Sequence, residues 1–461
     1  MMKTRFTLLL LALFMGFNVG FAQQDEECML NLTIMSDYAK SKKYDEAYEP
    51  FMKLRNKCPK FNYAIYFYGD RILKDKIERA SGAEKVNYIN DLMKLWDEGL
   101  ANFPDKFTAG GNLQDKAMLK LDYKDALRLS NKQVYDAFDE LYKKSPESFT
   151  NPKGLYAYFS SIVDMHDAKE VEVQDVFNKY DDVTDKIGQE IDNYTEKLNP
   201  LVEKEEAGQE LDKKEAQYKR QYESYLEAYD KISGSIDSKL GILANCEVLI
   251  PLYKRDFDKF KTDAVWLKRA VSRMYNKECT DDPLYTELVK AYDESSPSAD
   301  TKFFVYNLLM KQGKEREAKP YLDQSYDLEK DPLKKSKLAM RFGKSLRAQG
   351  NFGAARNYFQ KSVELNPSNG RAHIEIAQMY AASANNCGDT TFNKRAVFWL
   401  AAAEARKAGR VDANLRSYAE GLAANYEGKA PQKSDIFTEG NSGETIRIGC
   451  WIGLSVTVPK I

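Results

Sequence analysis

Residues 336–369, SKLAMRFGKSLRAQGNFGAARNYFQKSVELNPSN, constrain this chain more than any other stretch. Phe342 and Gly343 stand together, Leu346 follows three later, Ala355 lies twelve after Gly343, Phe359 four further on and Pro367 eight beyond that. The spacing describes two helices folded back on each other. Gly343 and Ala355 are small where the helices cross, Phe342, Leu346 and Phe359 fill the space between them, and Pro367 ends the second helix. The same pattern recurs 308 residues earlier as Ile34, Met35, Tyr38, Ala47, Phe51 and Pro59, with Tyr44 opposite Phe352. It recurs again 37 residues earlier as Val305, Tyr306, Leu309, Gly313, Ala318 and Leu322, with Pro332 two places late. A helical hairpin that repeats cannot bury its apolar face alone, so the chain must stack its hairpins into an array.

This 34-residue pattern resembles the tetratricopeptide repeat (TPR), with Ala339 where Trp is common and Leu346 where Tyr is common. The resemblance implies an all-α helical solenoid whose first helices line a groove that binds other proteins. Positions two, nine and twelve of the first helix line that groove in the family. Here Lys337, Lys344 and Arg347 hold them, and Arg371 holds position two of the next repeat. Arg341 occupies position six, where an Asn completes the carboxylate clamp of some members, so the expected ligand is an anionic peptide or protein segment rather than a terminal carboxylate. The competing description is a solvated basic face.

Between residues 170 and 245 the pattern changes. Val176, Tyr180, Val183, Ile187, Ile191, Tyr194 and Leu198 alternate steps of three and four, which is the seam of a long helix in a coiled coil. After a break at Asn199, Pro200 and Gly208 a second run follows with Leu211, Tyr218, Tyr222, Tyr225, Tyr229, Ile232, Ile236 and Leu240. Helices of roughly 28 and 37 residues would reach ~40 Å or more and would project as an antiparallel coiled-coil hairpin. It is either a packing strut or a docking arm.

The remaining segments fill in around these. Tyr63, Tyr66, Phe67 and Gly69, then Tyr88, Leu92, Leu95, Trp96 and Leu100, predict a helix pair ended by Pro104. Gly110, Gly111 and Asn112 predict another break, and Val134, Phe138 and Leu141 a further second helix before Pro146, giving about three pairs by Ser145. An unrelated helical bundle is the alternative for this irregular part. From Cys246 another pair is expected, with Leu249, Ile250, Leu252 and Tyr253 facing Val265, Trp266, Ala270 and Met274; Leu284, Leu288 and Tyr292 begin a further helix. After Pro367, Ile376, Ala377 and Tyr380 continue the array, about seven extra residues at 385–391 interrupt it, and Ala396, Leu400 and Ala403 resume it. Residues 414–426 form a capping helix. From Thr445 to Val458 apolar and polar residues alternate strictly, so the tail is extended, as one strand or as a hairpin kinked at Gly453. It packs on its own array or adds a strand to a partner's sheet.

The expected division is therefore 1–22, 23–169 (N-terminal repeats), 170–245 (coiled-coil arm), 246–435 (C-terminal repeats) and 436–461 (β tail). Residues 1–22 have the form of a secretory signal: Lys3 and Arg5, an apolar run from Phe6 to Phe17, then Gly20, Phe21 and Ala22. Cys28 follows Asp25, Glu26 and Glu27 instead of small apolar residues, so no lipid anchor is expected. Export would place six cysteines in an oxidising compartment, where fifteen pairings are open. Antiparallel hairpin geometry favours Cys28 with Cys58 and Cys246 with Cys279, each stapling the open end of a hairpin, and leaves Cys387 and Cys450 to tie a loop to the tail. Free thiols or other pairings are the alternatives.

The 69 basic and 70 acidic residues balance, which points away from nucleic acid. His166 and His373 are the only histidines, and no metalloprotease, phosphate-loop, nucleophile-elbow or dinucleotide motif occurs, so no catalytic residue, metal or cofactor is expected. No stretch beyond the leader approaches the ~20 apolar residues of a membrane span. The exported character, the Cys-bracketed repeats and the Gly449-Cys450-Trp451-Ile452-Gly453 tail are similar to exported TPR proteins of the Bacteroidetes group. That similarity implies a non-enzymatic periplasmic scaffold with envelope or outer-membrane protein partners; a module for cell-wall glycan or secreted polysaccharide, stacking sugars on the many Tyr, is the alternative. Oligomeric state is left open.

Overall fold

The computed structural model describes residues 26–241 and 243–461, so the expected leader lies outside the described residues. The chain forms two compact units, one ending at Lys179 and one beginning at Tyr180.

The first unit opens with α1 (26–40) and α2 (Tyr44–Lys57), which form the hairpin expected from the constant offset. Met35, Ala47 and Phe51 are buried in it, and Cys28 is bonded to Cys58 across its open end. The turn carries the register too. Gly350 and Gly313, at equivalent positions of the later repeats, have φ of 77° and 73°, and Lys42, 308 residues before Gly350, adopts φ of 57° without being glycine. α3 (Ala64–Arg79) and α4 (Gly82–Asn102) follow as expected.

Gly110, Gly111 and Asn112 do not break the chain. They lie in the first turns of α5 (Ala109–Asp122), which Thr108 caps by accepting from Gly111 N. A Cβ on Gly110 would collide with Ser148 and Ser145, so the glycine serves close packing rather than a turn. α6 (Asn131–Lys144) buries Val134, Phe138 and Leu141, and is followed by α7 (Pro152–Asp167), which the repeat pattern did not announce. Lys179 closes this unit: its ammonium lies 4.4 Å from the Tyr158 ring centre, bonds the Tyr158 hydroxyl and faces Asp139.

The unit boundary falls within α8 (Val173–Glu206), whose antiparallel partner is α9 (Lys213–Leu240). Tyr180 donates to Asp237 at one end, Tyr194 stacks on Tyr225 in the middle, and Lys204 meets Glu215 at the other end, all in one antiparallel register. The helices have 34 and 28 residues, unlike the expected lengths, because Pro200 sits inside α8 and does not end it. The break comes at Gly208, where φ is 76°, and α9 restarts at a capping box of Asp212 and Glu215 that leaves Leu211 outside the helix.

The hairpin does not project. Lys186, Glu190 and Thr195 of α8 are buried although they lie off the seam. The seam revealed one packed face; α8 has a second, turned to its own array.

The array behind it is built from α10 (Cys246–Phe260), α11 (Ala264–Asn276), α12 (Pro283–Ser295), α13 (Ala299–Lys311), α14 (Glu315–Leu328), α15 (Pro332–Ala348), α16 (Phe352–Leu365), α17 (Gly370–Cys387) and α18 (Thr391–Val411). Asn245, Asp263, Asp282, Ser298, Asp331, Asn351 and Thr390 cap seven of these helices through their side chains. Val265, expected in the core, is 61% exposed. In the best-formed repeat a Cβ on Gly343 would sit 2.5–2.9 Å from the Phe359 ring, and Phe342, Ala355 and Phe359 are fully buried. Of the extra residues at 385–391, the first three extend α17 to Cys387 and 388–390 form a short connection; α18 then buries Ala401, Ala402 and Ala405 while Ala403 faces outward.

α19 (Arg416–Lys429) caps the array with Ala419, Ala423 and Tyr426, and a short α20 (Lys433–Glu439), absent from the expectation, crosses into the segment assigned to the tail. The tail is a hairpin of β1 (Thr445–Arg447) and β2 (Ser455–Thr457), pairing Thr445 with Thr457, Ile446 with Val456 and Arg447 with Ser455. The strict alternation overstated the strands, because Cys450 and Gly453 take φ of 50° and 59° and turn the chain between them. The tail packs on its own array. Ile448 and Ile452 are buried beside Tyr380 and Ala396, Trp451 donates to Ser383 Oγ at 2.9 Å, Arg356 donates to Ile452 O at 2.6 Å, and Cys450 is bonded to Cys387.

Candidate interaction face

The five cations assigned to a groove fall on two helices: Lys337, Arg341, Lys344 and Arg347 on α15, Arg371 on α17. All five meet carboxylates of this same chain, and they separate into two kinds. Arg341 and Arg347 are built in. The Arg341 guanidinium lies 3.6 Å from the centre of the Phe303 ring and bonds Asp300 at 3.0 Å, and burial against this aromatic wall lowers its pKa. Arg347 bonds Glu375 and donates to Gln378 at 3.0 Å. Lys337, Lys344 and Arg371 are the open ones, with side chains 54%, 58% and 62% exposed.

Two of the three are met by the hairpin. Lys337 pairs with Asp192 of α8 and Arg371 with Asp230 of α9 at 3.0 Å, while Lys344 faces Glu375 at 3.9 Å. Further along α8, Asn199 accepts from Ser368 N at 3.2 Å, Leu198 and Val202 pack on Val411, and Glu206 reaches Arg410 at 3.4 Å. The base of the hairpin is fixed more firmly: Arg273, almost fully buried, bonds Asp181 at 2.5 Å and also Tyr253, and Arg269 pairs with Asp182. α8 thus runs beside α11, α15, the start of α17 and the end of α18 in turn. Sequence reasoning found the cations but missed the acids, since Asp192 and Asp230 are polar positions on amphipathic helices and nothing local marks them as partners.

Between hairpin and array lies a cavity of about 170 Å³ lined by Thr195, Leu198, Asp230, Arg371, Val411 and Asp412, among others. The Asp412 carboxyl is pushed up to about 6, chiefly by burial and in small part by Asp230, against the backbone donors of Asn414 and Leu415 and the Arg371 charge. An unfolded Asp ionises near ~4. Between roughly pH 4 and 6 the unfolded chain has lost a proton that the folded chain keeps, so stability falls as pH rises through this window and is flat above it. Asp412→Asn keeps the acceptor for Asn414 N, 3.0 Å away, and removes the buried charge. It should raise the melting temperature by a few degrees at pH 8 and leave it unchanged at pH 4, measured by thermal unfolding.

The two histidines are structural. His166 contacts Val171 O at 3.1 Å, and His373 meets Glu404 at 2.8 Å across the α17–α18 hairpin.

Helical hairpins in constant register, small residues at each crossing and left-handed turns at equivalent positions decide the architecture. The fold is a TPR-like helical array. No family model and no curated protein matches the chain. Among solved structures it is similar to a tetratricopeptide repeat protein from Parabacteroides merdae ATCC 43184 at 10% identity, covering 68% of this chain and 97% of that one with a TM-score of 0.24. It is also similar to yeast Tom70 at 15% identity, covering 88% and 78% with a TM-score of 0.26. A third likeness is to human IFIT1, solved as a dimer with PPP-AAAA, at 11% identity, covering 88% and 94% with a TM-score of 0.27. Among the described residues no helix is long and apolar enough to cross a membrane.

Proposed function

We propose that this TPR-like protein is a non-enzymatic exported scaffold, a periplasmic accessory subunit that binds envelope proteins and serves an outer-membrane assembly or secretion complex. The observation that carries the reading is the row formed by Lys337, Lys344 and Arg371 on the first helices of two successive repeats, each more than half exposed and each facing a carboxylate. A face that already seats carboxylates suits an acidic protein segment. The three bonded cysteine pairs suit an oxidising compartment. The glycan alternative would draw on exposed rings such as Tyr63, Tyr218 and Tyr418, whereas Tyr158, Tyr229, Tyr253, Tyr285 and Tyr380 are core side chains.

Capture from crosslinked cell envelopes tests this. The expected result is recovery of membrane-protein partners in stoichiometric amount, reduced at least about fivefold by Lys337→Gln, Lys344→Gln and Arg371→Gln together. Retention on peptidoglycan with no protein partner would overturn it.

A further inference from the structure

The hairpin and the array are joined unevenly along their length, and the unevenness has a direction. Near the base, the buried Arg273 of α11 bonds Asp181 of α8, whose side chain is 13% exposed, and Arg269 of α11 pairs with Asp182. Past Glu190 the joint thins. Its ion pairs, Lys337 with Asp192 and Arg371 with Asp230, lie in solvent on at least one side, where screening leaves such pairs weak. Its apolar content is a small cluster of Leu198, Val202 and Val411 with Tyr222 and Leu226 against it. The cavity of about 170 Å³ interrupts the contact there, and a wider cleft of about 910 Å³ opens under the tip. One wall of that cleft carries Arg406, Arg410 and Arg416 with Glu420, the other Glu205, Glu206 and Glu210 with Lys219, and Arg410 pairs with Glu206 across it at 3.4 Å.

We propose that the distal half of the α8–α9 hairpin is a resident, exchangeable occupant of the interaction face, and that the face takes an acidic helical segment of a partner in its place. The partner's chemistry is that of the occupant. Asp192 and Asp230 mark two carboxylates set against Lys337 and Arg371, and Leu198 and Val202 mark an apolar contact on Val411. A partner helix presenting acids to Lys337, Lys344 and Arg371 takes over the resident pairs at Lys337 and Arg371, adds one at Lys344 in place of the lost Arg410–Glu206 pair, and leaves the anchored base undisturbed. The inference rests on the scaffold reading for its biological meaning, but its physical content is separate.

The test uses the full chain with its disulfides intact and a labelled poly-glutamate peptide as probe. Asp192→Asn with Asp230→Asn keeps side-chain size and removes the resident charges. The double variant should bind the probe at least about tenfold more tightly than the parent chain at low salt, and amide hydrogen exchange over residues 198–226 should speed up while residues 336–365 keep their protection. Equal probe binding by the two proteins, or unchanged exchange over 198–226, overturns the proposal. Tighter probe binding by the variant together with no protein partner from envelopes would instead overturn the scaffold reading and leave the exchangeable hairpin standing.

Discussion

Lys186→Met should destabilise the C-terminal unit by about 3–5 kcal/mol, seen as a lower midpoint in denaturant unfolding. Lys186 and Glu190 are one helical turn apart on α8 and nearly solvent-free, with 5% and 6% of each residue exposed. Their salt bridge closes at 2.6 Å. Removing the ammonium leaves a carboxylate buried beside Tyr194 and Tyr229, both of whose pKa values burial raises. A buried charge without its counter-ion loses its hydration and receives nothing in exchange, which is why breaking such a pair costs more than the pair itself contributes. The double variant Lys186→Met with Glu190→Leu should recover most of the loss. If the single and double variants unfold alike, the cost belongs to lost packing of the lysine stem and not to the stranded carboxylate.

Phe359→Ala should cost the same unit about 3–5 kcal/mol by the same measurement. Phe359 is fully buried, and its ring lies against Gly343 so closely that a methyl group there would overlap it. The ring and the glycine are a matched pair: α15 approaches α16 because one residue has no side chain and the other fills the space left. Gly343→Ala should therefore also destabilise, by about 1–3 kcal/mol, despite the better helix propensity of alanine. Combining the two substitutions should cost less than their sum, because the cavity left by Phe359 receives the new methyl. Strict additivity would show that the glycine is there for some reason other than this crossing.

The parts of the fold legible in the sequence are those where one residue type answers one local demand. Gly343 against Phe359 and the left-handed turn at Gly350 are such cases, and a constant offset of 37 carries the turn glycine to Gly313. Cysteine pairing was legible for a related reason, since an antiparallel hairpin brings its two ends together whatever its packing. Where glycine had two possible meanings, sequence chose the wrong one. Gly110 reads as a turn and is a close approach to Ser148. Pro200 reads as a helix end, yet α8 continues to Glu206. The candidate face was half legible. Lys337, Lys344 and Arg371 follow from their positions in the repeat, but Asp192 and Asp230 lie more than a hundred residues away on helices with no fixed register to the array. Such a register is set by tertiary packing, and no periodicity within either segment encodes it.

The three disulfides have a mechanical consequence. They bridge sequence separations of 30, 33 and 63 residues, two across a helical hairpin and the third from the end of α17 to the tail. An extended chain spans ~3.3–3.6 Å per residue, so the closed loops together withhold on the order of 400 Å of contour length from any pull on the ends of the chain. Tension therefore bypasses the first hairpin, the α10–α11 hairpin and the tail-sealed end of the array, and falls on the unbridged helices between them. Under such a pull the chain would yield between its bridged segments and keep those segments folded.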